Sequence, residues 1–465
     1  MSDLPPLPLR RVKTGALERR FTLVKAGMVA GARLAVASAG SLFAEAGTRQ
    51  DVRRDALSRQ AEYLVNELGK LKGSIVKIGQ MMALYGEHFL SPEVTHALHK
   101  LNDSTTALAW ESMETVLKDE LGDRLLDLEV HHQPLGAASL GQVHRARRRS
   151  DGRELCLKIQ YPGVADAVDS DLDLVTHLMR LSRLVPQTRE FEEWLEEVRQ
   201  MMHREVNYPL ELETTRRFHD LLQADNRYIV PEVFPEYSTA HVLCTSYEPG
   251  LSINHPDVLA LPQERRNTLA LAALDLCARE IFLWGEIQTD PNFGNYLIHI
   301  DATSGQDRLI CLDFGAVRDF PPDLIRLARG LTEAAFDKDM DLMLQAMQGY
   351  SFFDQMPVQG RERFAHLLFL AIEPFARPED VEASCLDGQG NYLWAQSHLH
   401  KRAIAMAART ATNVGFSAPP KELMFVSRKL MGAYTFMTVI DARIQARALL
   451  QPYVDTWRQQ RHQDG

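Results

Sequence analysis

The order of apolar and polar positions divides the chain into segments of different period. Leu155-Cys-Leu-Lys-Ile-Gln160 alternates apolar with other residues, the pattern of a half-buried strand that carries Lys158. Tyr296-Leu-Ile-His-Ile300, a polar turn from Asp301 to Asp307, and Leu309-Ile-Cys-Leu312 predict two strands joined as a hairpin. Helical spacing relates Trp194, Leu195, Val198, Met201 and Met202, a core stripe to which no ligand role is assigned. A shorter amphipathic run, Leu324 to Leu331, follows Pro321-Pro322. Pro209 lacks an N–H and suits a first helical turn, so a helix should start or kink just before Glu211. On a helix through Gly73-Ser-Ile-Val-Lys-Ile-Gly-Gln-Met-Met82, Lys77 and Gln80 stand three apart and share a face.

With 465 residues, 45% hydrophobic and 25% charged, the chain can bury a substantial core. Its net charge of −10 argues against general nucleic-acid binding. The five cysteines show no CxxC spacing; Cys156, Cys244 and Cys311 fall in predicted strands, as reduced core residues of a cytoplasmic protein would. Residues 1–35 depart from the acidic balance, with Arg10, Arg11, Lys13, Arg19, Arg20, Lys25 and Arg33 against Asp3 and Glu18. Ala26 to Ala44 follows, rich in Ala and Gly and holding Gly27 and Gly31 in a G-x-x-x-G spacing. A membrane span there is opposed by Arg33, which costs about 2.5 kcal/mol or more near a helix centre. The expectation is an amphipathic helix lying peripherally on an anionic cytoplasmic membrane, with a plain soluble helix as the alternative. No cleavable signal peptide is expected, and Lys421 to Gly465 is too charged to span a bilayer.

The chemistry concentrates in two short motifs. Asp290-Pro-Asn-Phe-Gly-Asn295 has the D-x-x-x-x-N spacing of a catalytic loop, in which the Asp faces the attacking oxygen and the Asn holds a metal ion. Asp313-Phe-Gly315 supplies a second Mg²⁺ ligand, and the predicted hairpin between the motifs would bring both acids to one edge. Upstream, Lys158 stands where kinases grip the α- and β-phosphates, with Glu211 as its partner. Pro134-Leu-Gly-Ala-Ala-Ser-Leu-Gly-Gln-Val-His144 occupies the place of the glycine-rich phosphate loop, but only Gly136 and Gly141 remain. Ala137 and Ala138 add Cβ atoms that limit how closely the backbone approaches phosphate. Gln288-Thr-Asp290 replaces the His-Arg-Asp of ordinary protein kinases, Asn292 takes the place of a lysine, and no Ala-Pro-Glu follows. Protein phosphorylation in trans is therefore disfavoured.

These residues resemble the UbiB (AarF/ADCK) family of atypical, protein-kinase-like proteins. The strings Lys158-Ile-Gln-Tyr-Pro-Gly-Val164 and Gln288-Thr-Asp-Pro-Asn292 are most similar to its coenzyme Q branch. The family hallmark Lys-x-Gly-Gln stands here as Lys77-Ile-Gly-Gln80. The resemblance runs from about Leu57 to beyond Phe320 and implies an α+β, two-lobed protein-kinase-like fold with a helical extension over the nucleotide cleft. It implies a basic segment at 1–50, the extension at 51–130, an N-lobe at 131–250 and a helical C-lobe at 251–465. The implied nucleotide contacts are Gly136, Ala137, Ala138, Ser139, Gly141, Lys158, Lys77, Gln80 and Glu205. Asp290, Lys158 and Glu211 would be catalytic, and Asn295 and Asp313 would hold Mg²⁺. The implied activity is a Mg-dependent ATPase or small-molecule kinase, with ATP or ADP bound, that supports ubiquinone biosynthesis at a membrane surface. Its partners would be anionic membrane, quinone-biosynthesis enzymes or lipid intermediates, and a second copy of the chain. A Ser/Thr protein kinase and a nucleotide-binding pseudokinase scaffold are the alternatives. One departure stands out: the family's E-x-D reads Glu205-Val-Asn207, so the acid expected beside Glu205 as a partner of Lys77 is an amide.

Overall fold

Strands form where alternation places them, and helices where the apolar residues return every three or four positions. In a computed structural model of the chain, the described residues run from 58 onward. Short segments are excepted, the longest being 66–72, 100–106 and 413–420. The basic N-terminal segment lies outside the described residues. The rest divides into two units: the described residues through Glu213 with Glu232–Tyr247, and Thr214–Pro231 with Glu248 onward.

In the first unit, β1 (Leu128–Ala137), β2 (Gly141–Arg148), β3 (Glu154–Gln160) and β4 (Val242–Ser246) form an antiparallel sheet in that order. Leu155, Leu157 and Ile159 are fully buried, so the opposite face of β3 carries Cys156 and Lys158. Lys158 is paired in register with Val143 on one side and Leu243 on the other. Helices α1 (Ser74–Tyr85), α2 (Val164–Leu181) and α3 (Arg189–Glu205) pack together. The stripe Trp194, Leu195, Val198, Met201 and Met202 is the buried face of α3. From Ser74 to Ala83 helix α1 is buried except at Lys77 and Gln80, the two half-buried positions. The Ser74 hydroxyl donates to the buried Asp171 carboxylate of α2, which fixes the start of α1. Helix α4 (Tyr208–Leu222) begins where Pro209 predicts it.

In the second unit, α5 (Gln263–Arg279) widens into a π-helical turn, Glu280–Trp284. It stops at Gly285, whose φ of 68° suits glycine. A short pair follows, β5 (Glu286–Gln288) with β8 (Val317–Asp319). Between them in sequence lies the expected hairpin, β6 (Tyr296–His299) with β7 (Arg308–Cys311), its strands ending one residue earlier than the apolar runs suggest. Arg265 of α5 ties its turn down through Asp307. The remainder is largely helical and includes α6 (Pro322–Phe336), α7 (Lys421–Val439) and α8 (Ala446–Asp464). Buried Glu333 of α6 accepts from Trp457, Arg458 and Arg461, which binds α8 against α6. The chain thus adopts the α+β class read from its sequence. No described helix is long and apolar enough to cross a membrane.

Candidate active-site residues

The lysine of β3 is held by two strong contacts. Lys158 Nζ lies 2.6 and 2.9 Å from the two carboxylate oxygens of Glu211. The Glu211 side chain is 4% exposed and that of Lys158 30%, so the carboxylate is the more deeply enclosed member of the pair. Charge-assisted bonds of this length are about twice as strong as neutral ones. The Tyr208 ring, 5.2 Å from Nζ, adds a cation–π contact. In the sequence, Tyr208 carries one local signal, its place at the start of the Pro209 helix.

The loop between β1 and β2 is built differently from a glycine-rich cradle. Irregular pairing around Pro134 and Gly136 bends β1, and the turn closes with Ala138 N–H donating to Gly141 C=O at 2.8 Å. Gly136 and Ala138 are exposed, Ala137 and Ser139 half-buried. A Cβ at Gly136 would meet nothing within 4 Å, whereas one at Gly141 would come 2.4 Å from the Ile159 carbonyl. Gly141 is therefore needed for close packing of β2 on β3, a demand independent of phosphate. Gly136 tolerates a side chain as far as space is concerned.

On α1, Lys77 Nζ lies 2.6 Å from Glu205 Oε1 at the last residue of α3. Gln80 shares the half-buried face of Lys77. Asn207 has a role of its own: its Oδ1 accepts the Leu210 N–H at 3.1 Å and its carbonyl accepts the Glu211 N–H. It is the N-cap of the helix that carries Glu211. Asn207→Ala should therefore lower stability by about 1 kcal/mol. Asn207→Asp should keep the cap and place a favourable negative charge at the helix start. Urea unfolding of both variants checks this, and equal losses from Ala and Asp would remove the cap from the account. Hydrogen exchange over residues 73–85 in Asn207→Asp reports whether a restored acid also tightens α1.

In the second unit the two motifs are stitched together by hydrogen bonds. Asp290 Oδ1 accepts the Asn292 N–H at 3.1 Å, and Oδ2 accepts Asn295 Nδ2 at 2.8 Å. Asp313 Oδ1 accepts the Gly315 N–H at 2.9 Å. Between the loops, Leu312 N–H donates to the Asn295 carbonyl, and Thr289 donates to the Ala316 carbonyl through both its N–H and its hydroxyl. The buried Gln288 completes the set: its Oε1 accepts the Asp290 N–H at 3.2 Å while its Nε2 donates to the Asp313 carbonyl at 2.6 Å. One side-chain amide thus fixes both acidic loops in register.

Behind Gln288 lies a charged pair. Its N–H donates to Glu280 Oε2 at 3.4 Å, and Glu280 Oε1 is 2.7 Å from Lys429 Nζ of α7. Burial pushes the Glu280 carboxyl up; burial also disfavours the charge on Lys429, yet the adjacent Glu280 holds that ammonium well above its ordinary range. The Tyr296 hydroxyl stands 3.4 Å from the same ammonium. A cavity of about 30 Å³ beside the pair is lined by Ala273, Asp290, Tyr296, Lys429 and Gly432 among others, room for a water or two.

The donor chemistry suits magnesium. Because the Asn295 amide nitrogen donates to Asp290, the amide oxygen is the end turned to other partners, and Asp313 adds a carboxylate. One carboxylate and one amide oxygen are a sparse set, the kind Mg²⁺ completes with water and phosphate oxygens.

The described geometry and the sequence fall within one class: residues 100–347 match the model of the ABC1 atypical kinase-like domain, and the chain belongs to that family. Among its relatives, the atypical kinase COQ8B, mitochondrial, of Danio rerio is 30% identical over 410 residues, covering 87% of this chain and 62% of the relative. The COQ8B of Rattus norvegicus is 30% identical over 396 residues, covering 84% and 71%. The chain thus spans less than two thirds of the first of these relatives. Among solved structures, the Rv3197–erythromycin complex from Mycobacterium tuberculosis matches with a TM-score of 0.55 at 23% identity, covering 87% of this chain and 97% of that one. That likeness concerns the fold, which is the two-lobed, kinase-like one expected of the UbiB family.

Proposed function

We propose that this chain is a magnesium-dependent, ATP-binding atypical kinase or ATPase that supports ubiquinone and related isoprenoid-lipid biosynthesis at a membrane surface. The observation that carries the reading is the stitched pair of loops presenting Asp290, Asn295 and Asp313, with the Lys158–Glu211 pair in support. ATP would supply the phosphoryl group and Mg²⁺ would neutralise its charge. Lys158, oriented by Glu211, would bind the α- and β-phosphates. The Asn295 amide oxygen and the Asp313 carboxylate would hold the metal. Asp290 would orient a water or hydroxyl and accept its proton. Helix α6 starts at Pro322, directly after β8, which leaves little chain to dock a protein substrate and favours a small acceptor. The names of the COQ8B relatives support the link to coenzyme Q.

The test is ATP consumption by purified protein with and without Mg²⁺, anionic liposomes and quinone-precursor phenols. Mg-dependent loss of ATP, increased by liposomes or phenol, is the expected result. No loss under any condition, with nucleotide still bound, would leave the scaffold reading in its place. Peripheral membrane contact through the basic N-terminal segment is tested separately by flotation. The protein should float with anionic liposomes at low salt and be released by high salt, since attraction of about 1 kcal/mol per basic residue is screened by ions. Flotation that survives deletion of residues 1–45 would place the contact elsewhere.

A further inference from the structure

The second unit contains a cavity of about 480 Å³, within the range of small-molecule sites, that no step of the proposed phosphoryl transfer uses. Trp284, Phe320 and Ile325 form apolar wall, Trp457 of α8 faces them, and Arg326 and Arg329 project from α6. The wall is held firmly. Trp457 Nε1 donates to buried Glu333 at 3.1 Å, and the Phe320 N–H donates to the Gly285 carbonyl at 3.0 Å.

Arg329 is the unusual member. On α8, Arg447, Arg458 and Arg461 each meet Glu333 or Asp337 of the α6 end. Arg329 is half-buried, donates from Nε to the Ile281 carbonyl at 3.1 Å, and lies 5.7 Å from the Trp457 ring. Among the described residues no carboxylate pairs with it. Burial alone moves its pKa, downward, with no acid to offset the shift. Arg326 is bound only loosely, 3.9 Å from exposed Asp323. Against these two guanidinium groups the cavity sets one carboxylate, exposed Asp319. The site therefore carries excess positive charge beside two indoles. A half-buried cation without a counter-ion is costly, and an anion entering the cavity would relieve that cost.

The geometry points to a binding site for a small amphiphilic anion, a carboxylate or phosphate borne on an apolar or aromatic body, with Arg329 and Arg326 on the acid and Trp284 and Trp457 on the body. This inference stands apart from the nucleotide reading, since none of these residues belongs to it. The position gives such a ligand a route to the chemistry. Trp284 meets Phe218 edge-on at 5.4 Å, and Phe218 stacks at 4.7 Å on Phe314, the residue after Asp313.

The test is titration of the nucleotide-free full chain with hexyl phosphate, followed by calorimetry and tryptophan fluorescence, beside inorganic phosphate and hexanol. Hexyl phosphate should bind and perturb the fluorescence, and both controls should bind on the order of tenfold more weakly. Arg329→Gln should weaken hexyl phosphate on the order of tenfold and Arg329→Lys less. Exposed Arg326→Gln, which disturbs no packing, should weaken it a few-fold and guards against a folding artefact at Arg329. Vesicles containing phosphatidic acid distinguish a membrane headgroup from a free ligand: displacement of hexyl phosphate by vesicles assigns the site to lipid. Undiminished binding in both the Arg329→Gln and Arg326→Gln variants would overturn the proposal. So would absence of hexyl phosphate binding, or inorganic phosphate binding equally well.

Discussion

Asp313→Asn should reduce turnover at least about a hundredfold while leaving the fold intact. Asparagine has the shape of aspartate, and its oxygen can still accept the Gly315 N–H that orders the loop. The backbone carbonyl of residue 313 still accepts from Gln288. What disappears is the only full negative charge that the Asn295 and Asp313 pair offers a divalent ion, so magnesium affinity and the rate should fall together. Steady-state ATP consumption across a magnesium titration, with thermal unfolding as the control on folding, measures both. An unchanged rate and magnesium dependence would refute the assignment of Asp313 as a metal ligand.

The largest effect on stability is expected at the buried pair behind Gln288. Glu280 is 1% exposed and Lys429 5%, so Glu280→Ala would leave an ammonium in the interior without its counter-ion. Breaking a buried pair in this way costs about 3–5 kcal/mol, a large part of a typical domain's net stability. Replacing both members, as in Glu280→Gln with Lys429→Met, should recover most of the loss because no uncompensated charge remains. Urea unfolding of the single and double variants gives the comparison. A loss under about 1 kcal/mol from Glu280→Ala would mean that the ammonium finds another partner or is neutral.

The parts legible in the sequence are those governed by short-range pattern. Alternation places Lys158 on a half-buried strand, a proline marks the start of the Glu211 helix, and a polar turn between apolar runs gives the hairpin between the two acidic motifs. What short-range pattern does not carry joins residues far apart, for which no spacing rule exists. Glu280 reads as one more polar residue near a helix end, and Lys429, 149 residues later, as one more charge in a charged C-terminal segment. Ser74 and Asp171 are likewise 97 residues apart. Gln288 is a departure from the protein-kinase pattern in the sequence itself, but its two simultaneous bonds require the β5–β8 pair to be formed. Asn207 shows a second role beside the one its motif suggests. It stands where the family motif has an acid and also caps a helix, a role for which asparagine and aspartate are nearly equivalent.

Gln288 also bears on how the protein would respond to acidity. Ordinary protein kinases carry a histidine here, a side chain that changes charge and donor pattern between about pH 5 and 8. A glutamine amide does not titrate. It always has one acceptor for the Asp290 N–H and one donor for the Asp313 carbonyl. The joint that this amide makes between the two loops should keep the same hydrogen-bond polarity from mildly acid to mildly alkaline surroundings; the titratable group next to it is Glu280, whose carboxyl accepts the Gln288 N–H and is pushed up by burial.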